Sequence, residues 1–161
     1  MFCQRIADLE NEGKQIVYID ESGFAHDMPR THGYSIKGRR CYGKHDWGAK
    51  DRTNAIGALM GSTLVAIGLL TGSVDTSVFT CWVENILLPN IPPNCVIVMD
   101  NATFHKGVDM QQLIGNSCHT LLYLPPYSPD LNPIEKKWAQ AKQIRRNTNC
   151  TLDELFTNYL S

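Results

Sequence analysis

The segment IVYID, residues 16–20, is a short run of β-branched and aromatic residues that ends in an acid. The turn-prone pair Ser22-Gly23 follows it closely, so the run predicts a buried strand with Asp20 at its carboxyl end. A second apolar run, Cys95 to Met99, is too short for a helix and ends at Asp100. In open α/β sheets ligands bind at the carboxyl ends of parallel strands, so we expect the two carboxylates to lie near each other if these strands are neighbours.

The rest of the chain predicts alternating strands and helices around these two strands. Further strands are expected at residues 34–36, 53–60, 63–70 and 119–124. Apolar residues recurring every three or four positions predict helices at residues 76–87, 108–114 and 133–146, the first capped by Asp75 or Thr76. Thr151 and Glu154 have the spacing of a capping box. This order predicts an α/β layered arrangement with a mixed sheet.

Composition favours a single soluble domain. A chain of 161 residues with 43% hydrophobic residues can bury its own core, and a formal net charge of −1 argues against a wholly basic nucleic-acid binder. The six cysteines form no CxxC pair, which favours reduced thiols in an intracellular protein. The longest apolar run, around residues 64–70, is far shorter than the roughly 20 residues of a membrane helix, so no membrane association is expected.

A third acid follows a stiff loop, in the stretch LPPYSPDLNPIEKKW from Leu124 to Trp138. Four prolines within nine residues fix backbone angles and restrict where the next helix can begin. Asn132 and Glu135 have the spacing of a capping box, in which Glu135 turns back to its own helix end. The alternative is a metal ligand, which could not be replaced by Gln without loss of the ion.

Asp20, Asp100 and Glu135 together suggest a site for Mg²⁺ or Mn²⁺, because small hard cations prefer carboxylate ligands. Structural zinc is disfavoured, since Cys41 and His45 lack a second pair of ligands. Two such cations ~4 Å apart can promote phosphodiester displacement, which suggests the cutting or joining of nucleic acid. A two-carboxylate glycosidase also places acids at strand ends, but it leaves the third acid unexplained.

Three sequence blocks closely resemble the catalytic blocks of mariner-superfamily DDE transposases, especially their bacterial insertion-sequence branch. The blocks are DESGF at residues 20–24, DNATFH at 100–105 and LPPYSPDLNPIE at 124–135. Arg30, Tyr34 and Lys37-Gly38 also match the intervening pattern of that superfamily. Between Asp100 and Glu135 lie 34 residues, the separation typical of these enzymes.

The resemblance implies an RNase H-like α/β fold with a mixed central sheet of about five strands flanked by helices. It also implies that Asp20 (rather than its neighbour Glu21), Asp100 and Glu135 are catalytic and bind two Mg²⁺ ions, for which Mn²⁺ can substitute. The expected reaction is DNA cleavage at transposon ends, followed by attack of the freed 3′-hydroxyl on target DNA. We expect a homodimer on DNA.

The resemblance also leads to expectations about domain organisation and cellular location. Only 19 residues precede Asp20, so we expect residues 1–161 to form the catalytic domain alone, without the helix-turn-helix domain that precedes it in the family. We expect a cytoplasmic, nucleoid-associated protein in a bacterium or a nuclear one in a eukaryote. A domesticated or decayed copy that binds DNA or a partner without catalysis is the alternative function.

Basic residues near the three acids are candidate DNA contacts. Lys136 and Lys137 adjoin Glu135, and Arg39 and Arg40 belong to a basic group in the polar segment near the first acid. Such side chains would position DNA through its phosphates without reading its sequence, although a solvated helix face is an equally good reading of the two lysines. His105 could contact DNA, orient Asp100, or make a structural hydrogen bond in its turn.

Overall fold

A mixed sheet lies at the centre of the computed structural model, which describes residues 2–25, 34–35, 52–100, 103–126 and 128–156. Its six strands lie in the order β2-β4-β3-β1-β5-β6. They are β1 (Ile16–Ala25), β2 (Tyr34–Ser35), β3 (Arg52–Met60), β4 (Thr63–Leu70), β5 (Val96–Met99) and β6 (Thr120–Tyr123). Since β2 has only two residues, the sheet agrees with the expected five-stranded RNase H-like arrangement.

Parallel pairing of β1 with β5 brings the first two acids to one level of the sheet. Ile16 pairs with Val96 and Tyr18 with Val98, and continuing this register by two residues brings Asp20 level with Asp100. On its other edge β1 pairs antiparallel with β3, and β3 with β4. The parallel neighbouring strands on which the predicted site depends are therefore present.

The length of β1 differs from the sequence prediction. The strand continues through Ser22-Gly23 to Ala25, because β3 supplies a hydrogen-bonding partner along its whole length. Asp20 thus lies in the middle of β1 rather than at its carboxyl end. It nevertheless occupies the place where β1 leaves its parallel partner, since β5 ends at Met99.

Helices cover both faces of the sheet. They are α1 (Phe2–Asn11), α2 (Thr76–Trp82), α3 (Val108–Asn116), α4 (Ile134–Thr148) and α5 (Leu152–Glu154). The Asp75 carboxylate caps α2 by accepting a hydrogen bond from the Val78 N–H (2.9 Å), as predicted, and α2 continues into a wider π-helical turn over Val83–Leu87. The helix α1 was not predicted. Within the described part of the chain, no helix has the length and apolar character needed to span a membrane.

Side chains alternate between the two faces along β1, and this alternation organises the core. Val17 and Ile19 pack with α2 and α3 on one face. Tyr18 lies on the other face with α1, and Phe24 lies there with α4 and α5. By the same alternation, Asp20 projects towards the α4 face and Glu21 towards the α2 face.

Candidate active site

Asp20 is an almost fully buried acid whose carboxyl is hydrogen-bonded to that of Glu135. Only 8% of the residue is exposed. Burial raises the pKa of Asp20 to about 9, and the hydrogen bond to Glu135 and the negative charge of Glu21 add to the rise. A hydrogen bond between two carboxyl groups requires a proton on one of them, which agrees with the raised pKa of Asp20.

Glu135 reaches Asp20 because the loop before α4 is tied to β1. The Asn132 side chain is buried; its Oδ1 accepts a hydrogen bond from the Ile134 N–H (3.1 Å), and its Nδ2 donates to the Ile19 carbonyl oxygen (3.4 Å). Ile19 immediately precedes Asp20. The predicted N-cap position is wrong by one residue, because Pro133 is the N-cap of α4 and makes no side-chain cap hydrogen bond. Asn132, one residue earlier, ties the start of the helix to β1 instead. The Glu135 carboxyl engages Asp20 and does not complete a capping box.

Asp100 directly follows β5, and it is more exposed than Asp20. Its side chain is 45% exposed, and its Oδ1 accepts a hydrogen bond from Nδ1 of His105 (2.8 Å). The same ring nitrogen lies 3.1 Å from the Asp100 carbonyl oxygen. His105, five positions after Asp100, thus binds both the side chain and the backbone of Asp100.

His105 links Asp100 and Glu21, because its two ring nitrogens bind the two carboxylates. The ring is fully buried, packs against Phe79 with 4.5 Å between ring centroids, and donates from Nε2 to the Glu21 carboxylate (2.8 Å). Burial alone lowers the pKa of His105, but hydrogen bonds to Asp100 and Glu21 outweigh it and raise the pKa to about 10. Both ring nitrogens donate, so the ring is an imidazolium.

Glu21 is itself a buried carboxylate that depends on this cation. Its side chain is 15% exposed, and burial raises its pKa while the hydrogen bond and positive charge of His105 lower it. The sequence motifs predict no role for Glu21. The signal was available in the alternation of strand side chains, which sends consecutive acids to opposite faces.

The acids therefore form two groups rather than one. Asp20 pairs with Glu135 on the α4 face, while Asp100 turns to His105 and Glu21. In keeping with this, no group of three His, Cys, Asp or Glu side chains among the described residues could hold a metal ion as it stands. The two groups lie on neighbouring strands, since Asp20 belongs to β1 and Asp100 directly follows β5, its parallel partner.

The candidate DNA contacts have different surroundings. Lys136 is exposed, whereas Lys137 is partly buried and donates from Nζ to the Ser62 carbonyl oxygen (3.1 Å). His105 has no exposed surface to offer DNA, and its bonds favour the alternative role of orienting Asp100. Arg39 and Arg40 lie outside the described residues.

A family model matches most of the chain. The family is described as DDE superfamily endonuclease, and the match covers residues 15–155. No curated protein matches the chain in sequence.

Several solved structures share its fold. The catalytic domain of Mos1 mariner transposase has a TM-score of 0.59 at 15% identity, over 88% of this chain and 67% of that one. The Mos1 strand transfer complex gives 0.61 at 18% identity, over 86% and 45%. A mariner Mos1 paired end complex with Mg gives 0.61 at 19% identity, over 96% and 52%. The chain spans about half the length of the transposase chains in these two complexes.

Proposed function

Because the chain belongs to the DDE superfamily of endonucleases, we propose that it is the catalytic domain of a mariner-type transposase from the bacterial insertion-sequence branch. It cleaves DNA strands at transposon ends in a divalent-metal-dependent reaction. The freed 3′-hydroxyl then attacks a phosphodiester of target DNA, which joins the transposon end to the target strand and releases the 3′-hydroxyl of that strand as the leaving group. We propose that it acts on nucleoid DNA in the cytoplasm if the host is a bacterium, and in the nucleus if the host is a eukaryote.

The Asp20–Glu135 carboxyl pair is the observation that carries this proposal. Two acids 115 positions apart in sequence share a hydrogen bond, in which Asp20 is almost fully buried and Glu135 is exposed. Burial and this hydrogen bond raise the pKa of Asp20 to about 9. Such a pair is unfavourable to keep ionised unless a cation is present. Since all the donors are carboxylate oxygens, their chemistry fits Mg²⁺ or Mn²⁺.

Asp20, Asp100 and Glu135 are the residues that would hold two such ions. The ions would supply Lewis acidity that activates an attacking oxygen and stabilises the leaving oxygen of a phosphodiester. His105 and Glu21 hold the Asp100 carboxylate in place. Lys136 and Lys137, together with Arg39 and Arg40, would contact DNA phosphates and position the strand without reading its sequence.

Solved relatives support DNA as the partner and these metals as cofactors. Mos1 structures include a paired-end complex with the left transposon end, and catalytic-domain structures with Mg and with Mn. By analogy, we propose that this domain acts on paired DNA ends as a homodimer.

A nicking assay with a matched pair of variants tests the proposal. The wild type, Asp100→Asn and Glu135→Gln are compared on supercoiled DNA with Mg²⁺ or Mn²⁺, and Mn²⁺ binding is measured by calorimetry. Glu154→Gln is the control, because Glu154 also lies in the first turn of a helix but completes a true capping box with Thr151. We expect Glu135→Gln to abolish nicking and weaken Mn²⁺ binding at least tenfold, and Glu154→Gln to preserve both.

Two results would count against the proposal. A wild-type domain that neither binds Mn²⁺ nor nicks DNA would remove the metal-dependent reaction. Nicking retained by both Asp100→Asn and Glu135→Gln would remove the assigned residues. Salt-sensitive DNA binding without any nicking would instead identify the domesticated, non-catalytic alternative.

A further inference from the structure

Gly57 lies directly opposite Asp20 in the antiparallel pair of β1 and β3. Opposed residues in such a pair face the same side of the sheet, so a side chain at Gly57 would project to the α4 face, next to the Asp20 carboxyl. The indole of Trp138 fills that space. A Cβ added at Gly57 would lie 2.6 Å from Cη2 and 3.0 Å from Cζ2 of Trp138, and 3.0 Å from Cδ1 of Ile67.

Trp138 has little freedom to yield. It is 3% exposed, and its ring makes edge-to-face contacts with Phe24 (6.1 Å between centroids) and Phe156 (6.4 Å). Phe24 and Phe156 also contact each other edge-to-face at 5.7 Å. The three rings form a closed cluster, so a push on the indole would be passed to the backbone of α4.

Trp138 and Glu135 lie three residues apart in α4 and so occupy the same side of the helix. Both reach the sheet at one level, because Trp138 sits on Gly57 and Glu135 touches Asp20, the strand partner of Gly57. The depth to which the indole settles on the sheet therefore determines how near Glu135 comes to Asp20.

We propose that Gly57 is a positioning residue for the active site. Its missing side chain lets Trp138 settle on β3 and so sets the distance between α4 and β1 at which Glu135 meets Asp20. Restoring ordinary contact would move the indole from 2.6 Å to at least 3.4 Å from the added Cβ. That shift exceeds the ~0.5 Å tolerance of a metal site. The importance of this distance for metal binding rests on the proposed function.

Gly68 offers a matched control on the opposite face. A Cβ added there would lie 2.8 Å from Cδ1 of Trp82, another buried indole, which belongs to α2. Gly68 pairs with Ile56, the neighbour of Gly57, so the whole sheet separates it from α4. Gly68→Ala therefore creates the same kind of overlap without pressing on the helix that carries Glu135.

The experiment measures Mn²⁺ dissociation constants by calorimetry at 10 °C, together with the Tm of each protein. The proteins are wild type, Gly57→Ala, Gly68→Ala, Trp138→Phe and Gly57→Ala/Trp138→Phe. We expect both alanine variants to lose similar Tm, but only Gly57→Ala to lose Mn²⁺ affinity by tenfold or more. Phenylalanine lacks the outer indole atoms that overlap the added Cβ, so in the Trp138→Phe background the alanine should change affinity less than threefold.

Each of the following results would overturn the positioning role of Gly57. Equal loss of affinity in Gly57→Ala and Gly68→Ala would show that affinity follows stability rather than position. Unchanged affinity in Gly57→Ala, with Mn²⁺ bound normally by wild type, would remove the positioning role alone. Wild type that fails to bind Mn²⁺ would overturn the proposed function and this inference together. If Gly57→Ala fails to fold, a Gly57→Ala/Trp138→Phe protein that binds tenfold more weakly than Trp138→Phe refutes the mechanism.

Discussion

Replacing His105 by phenylalanine isolates the contribution to stability of the contacts that His105 makes with Asp100 and Glu21. The substitution keeps a ring of similar size against Phe79 and removes the hydrogen bonds to Asp100 and Glu21. Glu21 is left as a carboxylate with 15% of its side chain exposed and no cation beside it. The variant therefore separates ring packing from charge pairing.

The expected loss is about 3 kcal/mol of unfolding free energy. Removing one partner of a buried ion pair costs ~3–5 kcal/mol, because the other charge stays buried. The lower end applies here for two reasons. The bond to Asp100 contributes little, since that side chain is 45% exposed and screened by solvent. In addition, Glu21 can take up a proton, since burial raises its pKa. For a chain of this length, this corresponds to a fall in Tm of roughly 6–12 °C.

Urea unfolding followed by circular dichroism at pH 7 in EDTA measures this loss. His119→Phe is the control: His119 is only partly buried, and its Nδ1 accepts one hydrogen bond from the Cys95 N–H (3.0 Å), so we expect a cost of ~1 kcal/mol. Adding Glu21→Gln to His105→Phe removes the stranded charge and should recover part of the stability. A cost for His105→Phe no larger than that of His119→Phe would refute the reasoning, as would a cost that Glu21→Gln leaves unchanged.

Three further predictions concern pH, the Asn132 side chain and the α5 cap. Without metal, Tm should fall between about pH 6.5 and pH 9, because the pKa values of Asp20 (about 9) and His105 (about 10) in the folded protein lie above their ordinary values of 3.8 and 6.5. The folded state therefore holds extra protons in that window. A flat or rising Tm in thermal melts would contradict this. Asn132→Ala loses the bonds to Ile134 and Ile19 and should cost ~2 kcal/mol in urea unfolding and weaken Mn²⁺ binding in calorimetry. Thr151→Ala removes only the α5 cap, so it should cost ~1 kcal/mol and leave Mn²⁺ affinity unchanged.

Local patterns predicted local structure well. The Thr151–Glu154 capping box and the Asp75 cap formed as expected, because each depends on residues three positions apart. The same three-residue spacing allowed a capping box for Glu135, but that capping box did not form. Its hydrogen-bonding partner is Asp20, which no short sequence window contains.

Long-range pairing explains what the sequence did not predict. The strand β1 continues through Ser22-Gly23 because β3 pairs with it, and a propensity argument for β1 contains no information about β3. The burial of His105 depends on Glu21, 84 positions earlier in the chain. The three acids could be predicted as site residues because each block carries its own local pattern, and their catalytic role stays a prediction.

The alternation of Asp20 and Glu21 has a consequence for how the chain must fold. If β1 paired one residue out of register, Glu21 would face Glu135 and Asp20 would face His105. Both positions would still hold a carboxylate, so charge alone discriminates poorly against this misfolded form. The apolar neighbours discriminate well, because the slip would turn Ile19 away from its core and move Gly57 away from the residue it opposes. Fidelity of an acidic site is thus enforced by the hydrophobic residues around it.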